Sequence, residues 1–238
     1  TFIIRIKMKI AIMGAMVEEI TPLLEFFGKY ETLEFAKNRY YTTTYKGLDL
    51  VIAYSKIGKV NASLTASTLI EKFGAQKLLF SGVAGALNPS LKVGDLLVAT
   101  KLTQHDLDIT AFGHPHGYVP EGSVYVETDK NLTALAKKIA TAQKIKLLEG
   151  IIATGDQFIC DNVKKEWIHT TFNADATEME GASVAVVCDA LNVPFCVFRA
   201  ISDAADMDAG FSFDEFLVSS AKESAAFIIA MLDELANA

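Results

Sequence analysis

Residues 9–19 read KIAIMGAMVEE, and the order of apolar and polar positions in this stretch decides the fold class. Residues 9–13 form a short apolar run of the kind that makes a buried strand. Gly14 follows it, and from Ile20 to Phe27 the apolar residues recur at helical spacing. A buried strand that leads directly into a helix is the repeating unit of an α/β sheet. The stretch therefore predicts an α/β protein.

The same alternation of apolar runs and helical patterns continues along the chain. Residues 39–45 and 48–54 flank Lys46-Gly47 and predict a hairpin. Further strands are predicted at residues 76–81, 96–100, 147–154 and 194–201, and helices at residues 61–73, 130–142 and 163–172. Residues 104–128 are rich in Gly, Pro, His and Asp and predict an irregular segment.

Two local patterns predict helix starts. Residues 177–180 (TEME) and 212–215 (SFDE) both fit a capping box, in which a Ser or Thr and a Glu three residues later bind each other's backbone. The first would open a helix that runs to Leu191, and the second would open the final helix. With no repeat or linker, we expect one α/β domain over residues 8–238, with a largely parallel sheet covered by helices on both faces. Because Met8 resembles a natural start, residues 1–7 are expected to be an N-terminal extension.

The composition excludes several classes of protein. Of the 238 residues, 51% are hydrophobic and 21% charged, which is too apolar for intrinsic disorder. The net charge of −7 argues against nucleic-acid binding, which needs a basic face. No apolar run approaches the roughly 18 residues that cross a bilayer, so no membrane contact is expected. The sparse cysteines, Cys160, Cys188 and Cys196, are typical of reduced thiols in a cytoplasmic protein.

Three of the predicted strands end in segments that could hold a ligand. They are residues 14–19 (GAMVEE), residues 81–85 (SGVAG) and Ser202-Asp203. Ligands bind beyond the carboxyl ends of strands in open α/β sheets, so parallel strands would bring all three segments to one edge. Neither glycine segment matches the dinucleotide or the P-loop pattern, which disfavours a nicotinamide enzyme or a kinase.

Each charged residue that could belong to the site has both a chemical and a structural interpretation. Glu19 lies in a first helical turn, where the dipole favours an ionised carboxylate that either activates water or simply faces solvent. Asp203 follows an apolar strand, so burial would let it hold a proton, unless it is only a turn residue. Glu180 either binds a ligand or only caps its helix. Arg199 lies within an apolar strand and needs a partner, for which Asp203 and Glu180 are the candidates.

One irregular segment is rich in possible metal ligands. These are His105, Asp106, Asp108, His114 and His116. The segment lacks a helical HExxH pattern or a facial triad, so we expect no bound metal and no cofactor. Cys160 has no histidine at a nucleophile-like spacing, and a catalytic thiol is not expected either.

Seven motifs in order resemble those of one family. They are KIAIMGAMVEE, SGVAGAL followed by KVGDLLVAT, HDLDITAFGH, ATGDQFI, ATEMEGASVA, RAISD and FSFDEF. They run from Met8 to the C-terminal helix, and with them the chain resembles the bacterial 5′-methylthioadenosine/S-adenosylhomocysteine nucleosidases of the nucleoside phosphorylase superfamily. The resemblance implies a single-domain three-layer α/β/α fold with a central twisted mixed sheet. It also implies hydrolysis of the N-glycosidic bond of 5′-substituted adenosines, with release of adenine.

The resemblance assigns roles to the matching residues. Glu19 would activate the attacking water, Asp203 would donate a proton to adenine N7, and Glu180 would accept from the ribose 2′- and 3′-hydroxyls. The other residues expected at the substrate are Met179 at the ribose, Phe158 and Ile159 at the adenine, Ser202 beside Asp203, Ser81 and Arg199 in support, and Met16, Ile57 and Phe213 at the 5′ group. Phe112 and Pro120 would reach the 5′ pocket of a neighbouring subunit, which implies a homodimer.

Hydrolysis and phosphorolysis are both expected within the superfamily. Hexameric phosphorylases place an Arg in the first glycine loop and another just before the second. Here no basic residue lies between Gly14 and Lys29, and Phe80 precedes Ser81. A bound phosphate would lack charge partners and would face Glu19, so we expect a hydrolase. The alternatives are a phosphate-dependent purine nucleoside phosphorylase and a non-catalytic nucleoside-binding protein of the same fold.

The preferred substrate stays open at this point. Some members of the family also cleave 6-amino-6-deoxyfutalosine on a route to menaquinone, alongside methylthioadenosine, S-adenosylhomocysteine and 5′-deoxyadenosine in methionine salvage and S-adenosylmethionine recycling. An apolar 5′ pocket favours methylthioadenosine, whereas an open pocket accepts larger 5′ groups.

Overall fold

The computed structural model describes residues 7–237. Of the predicted N-terminal extension, residues 1–6 lie outside the described residues. The strands are β1 (Lys9–Gly14), β2 (Glu31–Phe35), β3 (Asn38–Tyr45), β4 (Leu48–Tyr54), β5 (Lys77–Phe80), β6 (Val83–Ala86), β7 (Leu96–Gln104), β8 (Val126–Glu127), β9 (Leu147–Thr154), β10 (Ala176–Glu178) and β11 (Phe195–Asp203). The helices are α1 (Val17–Phe27), α2 (Lys59–Glu71), α3 (Lys130–Gln143), α4 (Asn162–Phe172), α5 (Gly181–Ala190) and α6 (Ala209–Ala236).

The strands form one mixed sheet in the order β2-β3-β4-β1-β5-β11-β6-β10-β9-β7-β8. Strand β1 pairs in parallel with β4 and β5, and β11 pairs in parallel with β5 and β6. The hairpin predicted around Lys46-Gly47 is the antiparallel pair β3–β4. Strand β11 pairs with β5 through residues 195–197 and with β6 through residues 200–203. Its residues 198–200 also pair antiparallel with β7. The predicted mixed α/β sheet is confirmed.

Alternation along the strands gives the sheet two apolar faces. In β1 the side chains of Ala11 and Met13 enter one core cluster, and those of Ile10 and Ile12 enter another. The first cluster contains residues of α2 and α5, and the second contains residues of α1, α3 and α6. The sheet is therefore the middle layer of three. No helix within residues 7–237 is long and apolar enough to cross a membrane.

Both predicted capping boxes are wrong. Thr177 lies in β10, where it pairs with Gly85 and Ala153, and α5 begins only at Gly181 with Glu180 as its N-cap. Ser212 lies inside α6, which begins at Ala209, and its amide donates to the Asp208 carbonyl. In the first case the backbone of residues 176–178 pairs with neighbouring strands, so it cannot form the predicted helix start. In the second, the N-cap is Asp208 instead of Ser212, so α6 begins four residues earlier than predicted.

Candidate active site

A cavity of about 300 Å³ opens where the carboxyl ends of the central strands meet. It is lined by Ala15, Met16, Glu19, Ile57, Val83, Ala84, Gly85, Gln157, Phe158, Ile159, Thr177, Glu178, Met179, Glu180, Ser202, Asp203 and Phe213. The three segments singled out from the sequence contribute Glu19, Val83 to Gly85, and Asp203. The convergence that parallel pairing of β1, β5 and β11 implied is therefore present.

Glu19 is held by backbone amides from two segments. It is the third residue of α1, and its carboxylate accepts hydrogen bonds from the amides of Ala15 (2.5 Å), Met16 (3.0 Å) and Val83 (3.1 Å). A Cβ atom at Gly82 would lie 2.7 Å from the Glu19 Oε1 atom. Only glycine at position 82 therefore lets the β5–β6 turn approach the carboxylate this closely.

The environment of Glu19 suits a general base. The side chain is buried, and this burial raises its pKa, while the Arg199 guanidinium and the three amides act in the opposite direction. A carboxylate with a raised pKa takes up a proton more readily at neutral pH than an exposed one does. The amides also hold the group in one orientation.

Asp203 is the last residue of β11 and has its own donors. The Ser202 hydroxyl donates to Oδ2 and the Ala205 amide donates to Oδ1, both at 2.9 Å. Burial raises the pKa of Asp203, as the sequence predicted. A Cβ atom at Gly85 would lie 2.6 Å from Oδ1, so this glycine of β6 makes room for the carboxyl group.

Glu180 faces the cavity from the start of α5. Its side chain is 6% exposed, and Oε2 accepts a hydrogen bond from the Gly58 amide at 2.9 Å. Burial and the nearby Glu178 carboxylate raise its pKa to about 8. At neutral pH the side chain can therefore hold a proton.

The partner of the buried Arg199 is Glu178, and neither candidate expected from the sequence is correct. Arg199 Nη2 lies 2.6 Å from Glu178 Oε2, and both side chains are almost fully buried. Glu178 also accepts from the Thr154 hydroxyl at 2.5 Å and from the Gly181 amide at 2.8 Å. Sequence reasoning missed Glu178 because it assigned residues 177–180 to a helix start. The signal was available, since a buried arginine requires a carboxylate and this segment offers two.

Arg199 and Ser81 support the site from behind and do not line the cavity. Arg199 Nη1 donates to the Phe198 carbonyl at 2.9 Å, and its guanidinium lies 4.1 Å from the centre of the Phe80 ring. The Ser81 hydroxyl donates to Ser224 of α6 at 2.9 Å. Both residues were expected in supporting positions.

Part of the cavity lining is apolar and exposed. Phe158 is 44% exposed and meets Phe213 edge to face, with 5.5 Å between the ring centres. Ile57 is 53% exposed, whereas Ile159 is buried. These are the residues that the sequence predicted at the adenine and the 5′ group.

Two further predicted residues, Phe112 and Pro120, also lie outside the cavity of this chain. Phe112 is 80% exposed in a short 3₁₀ turn, and Pro120 lies exposed further along the same irregular segment. Their predicted contact is with a neighbouring subunit. Within residues 7–237 no three His, Cys, Asp or Glu side chains are grouped in a way that could hold a metal ion. His105 is buried against Gly155, and this burial lowers its pKa to about 4.

The charges around the cavity limit its chemistry. Among the described residues that line it, four are acidic and none is Lys, Arg or His. The acidic residues are Glu19, Glu178, Glu180 and Asp203. Arg199, the nearest buried cation, is already bound to Glu178. Such a site can activate water and protonate a leaving group, but it offers no free cation to a phosphate.

Comparison with known proteins agrees with this chemistry. Residues 9–233 match the family described as the phosphorylase superfamily. The chain is 61% identical to the aminodeoxyfutalosine nucleosidase of Campylobacter jejuni over 96% of its own length and all of that protein. It is 38% identical to a 5′-methylthioadenosine/S-adenosylhomocysteine nucleosidase of Anoxybacillus flavithermus over 96% of this chain and 99% of the relative. A Helicobacter pylori nucleosidase of the latter kind, solved with a pyrrolopyrimidine ligand, superposes with a TM-score of 0.95 at 54% identity and covers 95% of this chain and 98% of its own.

Proposed function

The chain belongs to the phosphorylase superfamily, and from that membership and its acidic cavity we propose how it acts on its substrate. It is a nucleosidase, which hydrolyses the N-glycosidic bond of 5′-substituted adenosines. The observation that supports this reaction best is the pairing of two differently held carboxyl groups in one cavity that offers no cation to a phosphate. A phosphorylase of this superfamily would need such a cation.

We propose that Glu19 activates the attacking water. Breaking the glycosidic bond leaves positive charge on the sugar, and a carboxylate beside the water favours both proton removal and this charge. Three backbone amides fix the Glu19 oxygens, so the base does not have to reorganise during the reaction.

Asp203 is proposed to protonate adenine N7. Adenine leaves with negative charge, which a proton donor on the base removes. Burial raises the Asp203 pKa and thereby favours the protonated form that this role requires. The Ser202 hydroxyl holds one of its oxygens.

The other cavity residues are proposed to position the nucleoside. Glu180 accepts from the ribose hydroxyls beside Met179, while Phe158 and Ile159 bind the adenine. Met16, Ile57 and Phe213 line the 5′ side. Because Ile57 on this side is about half exposed, a large 5′ group can extend outward past it.

The substrate proposed first is 6-amino-6-deoxyfutalosine. Identity is 61% to the Campylobacter jejuni aminodeoxyfutalosine nucleosidase and 38% to the Anoxybacillus flavithermus enzyme for the smaller nucleosides. The open 5′ side is compatible with the larger substrate as well as with methylthioadenosine and S-adenosylhomocysteine. The reaction would then serve menaquinone biosynthesis alongside methionine salvage.

The working form is proposed to be a cytoplasmic homodimer. The exposed ring of Phe112 and the nearby Pro120 would complete the 5′ pocket of the partner subunit. Three free cysteines, two of them buried, fit a reducing compartment.

Substitution of Glu19 tests this function directly. Glu19→Gln keeps the size of the side chain but removes its basicity, so we expect adenine release from all three nucleosides to fall by at least a hundredfold. Glu18→Gln is the matched control, because Glu18 lies in the same helical turn and is exposed. Adenine is measured by chromatography. Equal rates for the two variants would contradict the role of Glu19.

A further inference from the structure

Asp106 lies outside the cavity and binds two separate segments with its two carboxylate oxygens. Lys59 Nζ donates to Oδ1 at 2.7 Å, and the Asp156 amide donates to Oδ2 at 2.8 Å. The Asp106 and Lys59 side chains are only 18% and 19% exposed. Although partial burial alone would raise the pKa of Asp106, these two donors hold it below its usual range. The carboxylate is thus ionised and fixed from both sides.

A third hydrogen bond closes the connection between these residues. The Lys59 amide donates to Asp156 Oδ1 at 2.8 Å, so Asp106, Lys59 and Asp156 bind one another in a closed triangle. They come from three segments that are far apart in sequence: the end of β7, the start of α2 and the turn after β9. A ring of three bonds resists displacement of any one segment better than a single pair does.

Two corners of the triangle, Asp156 and Lys59, adjoin walls of the cavity. Asp156 directly precedes Gln157, Phe158 and Ile159, which line it. Lys59 follows Ile57 and Gly58, and the Gly58 amide donates to Glu180. A Cβ atom at Gly58 would lie 3.1 Å from Asp156 Oδ1, so the two segments approach closely there as well.

We propose that Asp106 is a positioning residue, which sets the distance between the purine-binding segment and the ribose-binding carboxylate through Lys59 and Asp156. None of the three lines the cavity, so each acts only through its neighbours. The inference rests on the proposed function in one respect, namely that the cavity holds an adenine nucleoside. Asp106 also begins the segment that carries Phe112 and Pro120, so the same carboxylate ties this segment to the site of its own chain.

The test compares Asp106→Asn with Asp95→Asn. Asp95 is a matched control, because it is also 18% exposed, binds Lys146 Nζ at 2.5 Å and accepts from the Lys92 amide at 3.0 Å, but contributes nothing to the cavity. We expect kcat/KM for methylthioadenosine to fall at least thirtyfold in Asp106→Asn, mainly through KM, and to change less than twofold in Asp95→Asn. Thermal unfolding midpoints should fall by similar amounts in both. Equal kinetics in the two variants would overturn the proposal.

A double substitution separates positioning from loss of structure. Lys59→Met should reduce kcat/KM as Asp106→Asn does, and the double variant should lose no more than either single one, because both remove the same bond. Additive losses would contradict the proposal. If Asp106→Asn does not fold, Lys59→Met alone tests the same contact. Calorimetric adenine binding, expected to weaken at least tenfold in Asp106→Asn, is independent of turnover. A wild-type protein that releases no adenine would instead contradict the proposed function.

Discussion

At the scale of single residues, the three carboxyl groups with proposed roles differ in what holds them. Glu19 is bound by three amides, Asp203 by one amide and one hydroxyl, and Glu180 by a single amide. Burial raises the pKa of each. Glu180 has the fewest donors and lies beside Glu178, which raises its pKa further. Ligand binding is therefore expected to change the protonation of Glu180 more than that of Glu19 or Asp203.

A first prediction concerns the proton on Glu180. With a pKa of about 8, Glu180 is mostly protonated at pH 7 before a nucleoside binds. Accepting hydrogen bonds from ribose hydroxyls favours the ionised form and lowers the pKa. Nucleoside binding at pH 7 should therefore release a proton, and affinity should rise with pH until about pH 8 and then level off.

Calorimetry in buffers of different ionisation enthalpy measures this release. The ligand is a C-nucleoside analogue of methylthioadenosine, whose carbon–carbon link cannot be hydrolysed. Glu180→Gln should bind it without the release, and adenine, which has no ribose, should show none from Glu180 in the wild type. A release that persists unchanged in Glu180→Gln would assign the proton to another group.

The position of a site residue could be predicted from the sequence where that residue directly follows a predicted strand. Glu19 and Asp203 follow strands of a parallel sheet, so their meeting at one edge followed from topology. The Arg199–Glu178 pair was not found, because it depends on which strand lies between β6 and β9. That neighbour is β10, a strand of three residues that the local pattern had assigned to a helix.

At the scale of elements, the turn between β5 and β6 matters most to the site. Its Gly82 lies directly against the carboxyl group of Glu19, and Gly85, in β6 just after the turn, lies against that of Asp203. The sequence singled out this turn, but it could not tell a ligand-binding turn from an ordinary tight one. The structure shows that the absent side chains leave space for two acidic groups of the chain itself.

Substitution of Gly82 tests this interpretation. In Gly82→Ala the new methyl group would lie 2.7 Å from Glu19 Oε1 and 3.2 Å from Arg199 Nη1, so the carboxylate has to move. Displacement of a reacting group by about 1 Å costs on the order of a hundredfold in rate, and we expect kcat to fall by about this factor.

The control is Gly210→Ala in α6. No atom lies within 4 Å of the position of the new methyl group, and alanine stabilises a helix by up to about 1 kcal/mol relative to glycine. Activity should remain unchanged, and the midpoint of chemical unfolding should stay equal or rise. Full activity in Gly82→Ala would mean that the turn does not constrain Glu19.

Helix boundaries show where local sequence rules reach their limit. The helices with an aspartate N-cap, α3 after Asp129 and α4 after Asp161, begin within one residue of their predicted starts. The predicted capping boxes failed at α5 and α6, neither of which has a side-chain cap bond. At the start of α5 the backbone instead turns out of the sheet to present Glu180 to the cavity.

At the scale of the whole molecule, the segment that carries Phe112 is one of the places where a single chain exposes a large apolar side chain. An aromatic ring that is 80% exposed contributes little to its own fold. Its proposed place is the 5′ pocket of a second copy. The sequence predicted this only through the family resemblance, because contact with another chain leaves no periodic pattern in a short irregular segment.

A hybrid dimer tests the contact. Glu19→Gln and Phe112→Ala should each have low activity with methylthioadenosine, but a mixture contains dimers in which an intact Glu19 faces the partner's intact Phe112. We expect the mixed sample to exceed the sum of the separate activities, and sedimentation to give about twice the 25.8 kDa of the chain. A monomeric mass, or no gain on mixing, would contradict the shared site.

Water, and not phosphate, is proposed to attack the sugar. The direct measurement is the identity of the sugar product from methylthioadenosine, by chromatography and phosphorus NMR, with and without saturating phosphate. An acidic cavity that lacks a free cation predicts adenine and free 5-methylthioribose at the same rate in both conditions. A requirement for phosphate, with 5-methylthioribose 1-phosphate as the product, would contradict the account.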